Sequence, residues 1–549
     1  MYVADTKGAQ PLLGYSDLFS DKAPELTEEI PKLNMNKAIS IICELIQIRD
    51  KKTPSIDIGV GEISFPSEWF IKSILCGDEN KPFEDMIRPV YEKKKHVLSL
   101  QMLLILLKGV IRYGNYETLS DNDYTIQKDD YVNIIKLQLA IADQVDKRYS
   151  GAFDSDYFLY GTYHLNHKRN IICHLIRNYY MFEILDRDIN IFEEDVRKEY
   201  RDYNTVFFDN YGIYPAEYFF LLFRELETYY GGEYGLTYRS NWKKVNDEYA
   251  YLKDPSIANK VISILAKPVS EYMEWAKETL DREWDFSNFF AFPFLTNDCG
   301  EYVSVSDVTI INAFFEKLFW LIHECYPIED DHCMTFYGRL FEKYIQTLTQ
   351  EAAGCGFSYI PEFSYGPRKN KVKSSDAYLL KGDCLLAVEV KGFSVLLDCM
   401  TKNEKVEDNN NKLFVGPVLQ ADKFLNRSLT GVPFFSCVEN VYVVSVTMDN
   451  INAIPDRINE MHNTIETEKK CDKVKYYFNF SIDEYEMLMY LVESGMDIFA
   501  ILKDYFDTVR LAPFGNYIID RYPIKKTSFM TKVFEQATER MKALHFGDK

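Results

Sequence analysis

The sequence lacks several things whose absence narrows its function. None of its 11 cysteines sits in a CxxC pair, so the usual spacing of zinc ribbons and redox pairs is missing. They read as reduced core thiols of a cytoplasmic protein. There is no basic excess: 63 Lys and Arg face 84 Asp and Glu, a net charge of −21. That excludes a surface coated for non-specific binding to nucleic acid or membrane, but not a local site. No long apolar run is present. The most apolar stretch, LSLQMLLILLKGVI (98–111), contains Gln101 and Lys108, is too short to span a bilayer, and is expected to be a core helix. The opening MYVADTKGAQPLLG has no basic segment followed by an apolar one, so no secretory leader and no membrane attachment are expected. No GxxxxGK[ST] loop, GxSxG elbow or kinase motif set occurs, which removes nucleotide-driven motors, serine hydrolases and kinases.

What is present is ample core material. The chain is 47% hydrophobic and 15% aromatic, far from a disordered composition. Its 549 residues suggest two to four domains. Residues 1–330 carry apolar residues at helical spacing in NKAISIICELIQIRD (36–50), DYVNIIKLQLAIADQVDKRY (130–149), PAEYFFLLFRELETYY (215–230) and DVTIINAFFEKLFWLIHECY (307–326). A large, mainly helical scaffold, regulatory or partner-docking region is expected there. Residues 331–465 change character. A helix, GRLFEKYIQTLTQEA (338–352), precedes strand-like FSYIPEFSY (357–365), a basic loop GPRKNKVK (366–373) and two apolar runs about a Gly-Asp turn. A polar tract, KNEKVEDNNNK (402–412), reads as an exposed loop or lid. Helix PVLQADKFLNRSL (417–429), strand VYVVSVT (441–447) and helix PDRINEMHNTI (455–465) follow, giving an α/β layer with a mixed sheet. Residues 466–549 read as a mainly helical C-terminal region that packs on the α/β domain or stands alone. In FSIDEYEMLMYLVESG, Ser481 or Asp483 is placed to cap a helix.

The stretch SSDAYLLKGDCLLAVEVKG (374–392) carries the chemistry. Gly382-Asp383 fits a two-residue hairpin turn with glycine where a positive φ is needed. Lys381 then faces Cys384, and the same register sets Asp376 opposite Glu389 at a non-hydrogen-bonded pair. Lys391 shares the face of Glu389. The other face is apolar: Leu386, Val388 and Val390 with Ala377 and Leu379. Facing buried carboxylates resist ionisation. A hard divalent cation such as Mg²⁺ or Mn²⁺, which takes oxygen ligands, removes that obstacle. Lys391 can then hold a water or stabilise charge on a phosphate.

Asp376, twelve residues, then Glu389-Val390-Lys391 resembles the PD-(D/E)XK nuclease superfamily, the restriction-endonuclease-like fold. Glu342 in GRLFEKYI and Gln420 in PVLQADKF match further positions, the latter as in the RecB-like branch. The resemblance implies that Asp376, Glu389, Glu342 and the Val390 carbonyl hold the metal. Lys391 would orient the attacking water, and Gln420 would support the site or contact substrate. Ser375 stands where the motif has Pro, and Phe424 where the RecB-like helix often has Tyr. The expected activity is metal-dependent phosphodiester hydrolysis in restriction, anti-phage defence or repair, with DNA the favoured substrate and RNA left open, since no residue separates the two. The expected partners are the nucleic acid and, through the helical region, a protein or further copies of the chain. The alternative is a catalytically silent fold that serves as a structural or binding module.

Arg368, Lys369, Lys371 and Lys373 lead into the Asp376 strand, where they either contact phosphates or form a solvated loop. Segment 335–450 holds 13 basic and 13 acidic residues, so the acidic excess lies elsewhere. His323, Cys325, His332 and Cys333, and His164, His167, Cys173 and His174, are clustered in sequence. Their spacings are poor for zinc, and ordinary helix residues are expected.

Overall fold

The computed structural model describes residues 2–5, 8–49, 56–57, 62–63, 97–149, 161, 165, 170–231, 235–367, 372–392, 394–395, 399, 405–448 and 455–546. His164, His167, Arg368, Lys369 and Lys371 lie outside them.

The protein is mixed α/β with a helical N-terminal region. Helices α1 (Met35–Ile48), α2 (Leu100–Tyr113) and α3 (Lys128–Tyr149) form a first core with Trp242, Trp284 and Phe289. The apolar stretch 98–111 is buried in it as α2. Its Lys108 is tolerated there because Nζ donates to the carbonyls of Thr279 and Asp285. No helix among the described residues is long and apolar enough to cross a membrane.

A second, larger core starts with α4 (Ile171–Tyr179) and α5 (Pro215–Gly231). The expected helix 307–326 is α6 (Asp307–Asn312), a π-helical turn at Ala313–Lys317, and α7 (Leu318–Glu324). Then comes α8 (Asp331–Ala352), capped by Asp330, whose side chain accepts from the His332 amide. One stripe of α8 (Phe336, Leu340, Phe341, Tyr344, Ile345, Leu348) is fully buried. It packs on the apolar sheet face of Ala377, Leu379, Leu386, Val388 and Val390. Each such aliphatic side chain taken from water contributes about 1.5–3 kcal/mol.

The sheet has five strands: β1 (Ser358–Pro361), β2 (Ala377–Lys381), β3 (Cys384–Lys391), β4 (Asn440–Thr447) and β5 (Val474–Ser481), lying side by side in that order. β1 to β3 are antiparallel; β3, β4 and β5 run parallel. Parallel neighbours require crossovers. Helix α10 (Gly416–Ser428) connects β3 to β4 and covers the second face, with α11 (Pro455–Glu468) between β4 and β5.

Two expectations need correction. The tract 402–412 is not an open loop where it is described: α9 (Val406–Asn410) leads through a π-helical turn at Asn411–Val415 into α10. Asn409 and Asn410 are buried, while Lys405, Glu407, Asp408, Asn411 and Lys412 stay exposed, so the run is a solvated helix that turns one edge inward. The division at 465 also cuts through the sheet, since β5 lies in the segment read as helical. The aromatic run VKYYFNFS gives little two-residue alternation to read.

Helix α12 (Ile482–Glu493) begins at Ser481, which forms a capping box with Glu484. Arg177 of α4, fully buried, pairs with Asp483 at 2.8 Å and Glu486 at 3.1 Å on α12. Tyr344 of α8 donates to the same Glu486. The helical region, α8 and the C-terminal helices are thereby joined in one buried polar network.

Candidate metal centre

The hairpin register is as expected from Lys381↔Cys384 to Ala377↔Val388. Gly382 has φ of 63° and Asp383 needs no positive φ, as a II′ turn requires. Beyond Ala377 the ladder departs from expectation. Asp376 does not continue it as a pair with Glu389. Its amide donates to the Val388 carbonyl at 3.0 Å, and its Oδ2 accepts from the Val390 amide at 2.6 Å. The carboxylate itself completes the last rung.

Three carboxylates meet at this end of the sheet. Oxygens of Glu342, Glu362 and Asp376 all lie within 4.8 Å of one another. Helix α8 delivers Glu342, and Gln346 one turn later donates both to Glu342 Oε1 and to the Asp376 carbonyl at 3.3 Å. Glu362 follows β1 directly. The pairing Ala377↔Pro361, extended by one residue, sets Glu362 beside Asp376. Glu362 was absent from the sequence-derived set. The only sequence signal for it is an acidic residue at a strand end, and its register against β2 is a tertiary fact.

Glu389 stands next to this group, not within it. It is 1% exposed, and neither of its oxygens has a hydrogen-bond partner. The Ser375 hydroxyl nearby is also unpartnered, so no hydrogen bond between them is complete. The cation facing Glu389 is Lys391, with Nζ 3.7 Å from Oε2. Lys391 in turn donates to Gln420 Oε1 at 3.3 Å. The structure therefore unites Asp376 with Glu342, and Glu389 with Lys391 and Gln420. Val390 takes part through its amide, which donates to Asp376. Of the basic loop, Lys373 is described, and it pairs with Glu362 at 3.2 Å. Arg339 similarly binds Glu342 at 2.8 Å and Glu199 at 3.2 Å.

The electrostatics follow from crowding. Desolvation, then the charges of Glu389 and Glu342, hold the Asp376 carboxyl well above the usual range, although Asp376 keeps a partly exposed edge; the Val390 amide and Lys391 oppose this. Burial pushes Glu389 up to about 7, with Lys391 pulling it back. Burial raises Glu342 also, against the pull of Arg339. Three converging carboxylates with a fourth beside them ionise together only where positive charge offsets them, and Arg339, Lys373 and Lys391 supply part of it. The donors are all hard oxygens, two of them buried and orphaned on Glu389. This set fits a divalent cation of the Mg²⁺ or Mn²⁺ kind.

Among the described residues, His323, Cys325, His332 and Cys333 form no such group, nor do Cys173 and His174. No family model matches the sequence, and neither the curated proteins nor the solved structures contain a significant match.

Proposed function

We propose that this end of the sheet is the catalytic centre of a divalent-metal-dependent nuclease of the PD-(D/E)XK kind, acting on DNA rather than RNA. The observation that carries the reading is Glu389: a buried carboxylate whose oxygens accept no hydrogen bond within normal geometry and whose one facing cation, Lys391, stands 3.7 Å away, next to three carboxylates whose oxygens converge. Evolution of a merely structural hairpin has no use for so costly a group. The mixed sheet opened by the acidic hairpin, with Glu342 on the preceding helix and Gln420 on the following one, supports the same resemblance.

Asp376, Glu342 and Glu362 would hold the metal, with Glu389 adjoining. When bound, such an ion lowers the pKa of a coordinated water and stabilises charge on the phosphoryl group. Lys391 sits at the rim, 24% exposed, where its ammonium can hydrogen-bond a water or a phosphate oxygen. Gln420 accepts from it and fixes its direction. Gln346 fixes Glu342 against the Asp376 backbone, which keeps two carboxylates aimed at one point.

A catalytically silent version of the fold is the second reading. It is favoured by the pairs Arg339–Glu342 and Lys373–Glu362, which already supply two positive charges to the acidic group. Plasmid and single-stranded DNA cleavage in Mg²⁺, Mn²⁺ and EDTA decides between them, with wild type beside Asp376→Ala and Lys391→Ala. Metal-dependent cutting, abolished in both variants, is expected. Absence of cutting together with absence of metal binding in calorimetry establishes the silent fold.

A further inference from the structure

The carboxyl ends of the parallel strands open into a cleft of about 690 Å³ between the α/β layer and the helical region. Ligands of open α/β sheets bind at such ends. Val390, Lys391 and Glu342 form the end of the cleft that meets the acidic site. The rest is walled mainly by apolar and aromatic groups, among them Phe290, Trp320, Met334, Tyr337 and Met448. Trp320 is 51% exposed, and its ring stands edge-on to Phe319, centroids 5.1 Å apart. Phe319 is held in turn against Tyr337 at 4.4 Å. Met334 is also exposed. Three lysines border this apolar lining, Lys317, Lys391 and Lys412, each from a different element. The fourth cation, Arg339, is occupied by Glu199 and Glu342.

Aromatic walls with a few cations are the opposite of a duplex-binding groove, which needs many Lys and Arg along the phosphates. They suit an unpaired strand, whose bases stack on aromatic rings while a few cations meet its backbone. The volume lies within the usual range of about 300–1,000 Å³ for a bound organic group, and a net charge of −21 penalises binding that relies on phosphates alone.

We propose that the cleft receives unstacked bases of a single strand, with Trp320 as the stacking platform and Lys391 and Lys412 toward the phosphates. The substrate class is then single-stranded DNA, or a duplex opened at the cut point. This rests on the nuclease reading for its catalytic meaning, and on the cleft alone for its binding.

The test is fluorescence anisotropy of a short fluorescein-labelled DNA strand and of the same sequence as a duplex, in EDTA so that no cutting occurs. Wild type is compared with Trp320→Ala and Lys412→Glu. The single strand should bind at least about tenfold tighter than the duplex, and Trp320→Ala should lose about tenfold on the single strand only. Lys412→Glu should weaken both probes. Equal or tighter duplex binding, binding of neither probe, or an unaltered Trp320→Ala overturns the inference. Cleavage in Mg²⁺ is read separately. Cutting without strand preference removes this inference and leaves the nuclease; single-strand binding without cutting does the reverse.

Discussion

Glu389→Gln should stabilise the metal-free protein while it abolishes cleavage. The reasoning starts from the ordinary glutamate value of 4.5 and the value near 7 to which burial pushes Glu389. The native state then holds a proton that the unfolded chain releases. Stability is therefore present at low pH and lost as pH rises from the unfolded value through the folded one. By linkage the loss from this group is below about 1 kcal/mol at about pH 5 and on the order of 3 kcal/mol at about pH 8. Asp376, Glu342, Glu362 and Lys391 all face the group; removing the Glu389 charge also relieves part of the upward push on the Asp376 carboxyl, which adds to the difference between the proteins in the same sense. A glutamine cannot ionise, and its amide can donate to the Ser375 hydroxyl or the Asp376 carboxylate. The variant should gain roughly 2–3 kcal/mol on wild type between about pH 5 and about pH 8, less the cost of any amide hydrogen left unmet. The assay is thermal unfolding in EDTA across that range. At about 1 °C per kcal/mol for a chain of 549 residues, the gain in melting temperature should widen by about 2–3 °C from the acid to the alkaline end. A difference that does not vary with pH, or a variant less stable than wild type at alkaline pH, refutes the assignment of Glu389 as a buried carboxylate under strain.

The same electrostatics predicts that Mg²⁺ or Mn²⁺ raises the melting temperature of wild type most at alkaline pH and leaves that of Asp376→Ala unmoved, measured by the same unfolding curves. Glu362→Gln should reduce cleavage by at least about tenfold, comparable to losing about 1.4 kcal/mol of transition-state stabilisation, and a wild-type rate would remove Glu362 from the site. Arg177→Met leaves the buried Glu486 and the partly buried Asp483 without their cation, at a cost of about 3–5 kcal/mol; a fall in melting temperature of about 3–5 °C is expected. Gly382→Ala places a Cβ on a residue with φ of 63° and should destabilise the hairpin by about 1–2 kcal/mol, visible in urea unfolding.

The hairpin was legible because its signals are local. A two-residue turn fixes register by counting, and the apolar face of Leu386, Val388 and Val390 fixes which side is buried. Helix existence was legible for the same reason, from α1 and α3 in the first core to α10 and α11 on the sheet. What the sequence left hidden depends on parts of the chain meeting in space. Glu362 belongs to the site because Pro361 pairs with Ala377 across two strands that a long loop separates. Lys373 reads from its charge as a phosphate contact or a solvated loop residue, yet it pairs with Glu362, a pairing that the small ribbon of Ser364–Tyr365 and Val372–Lys373 brings about. The cleft was invisible for a deeper reason: one wall comes from α6 and α7, the other from the sheet and α9. The buried Arg177 network holds α8 to both the helical region and α12, and α8 also carries Glu342. Tyr344 and Glu342 are two residues apart on that helix. A shift of the helical region against the sheet would thus move Glu342 and a wall of the cleft together.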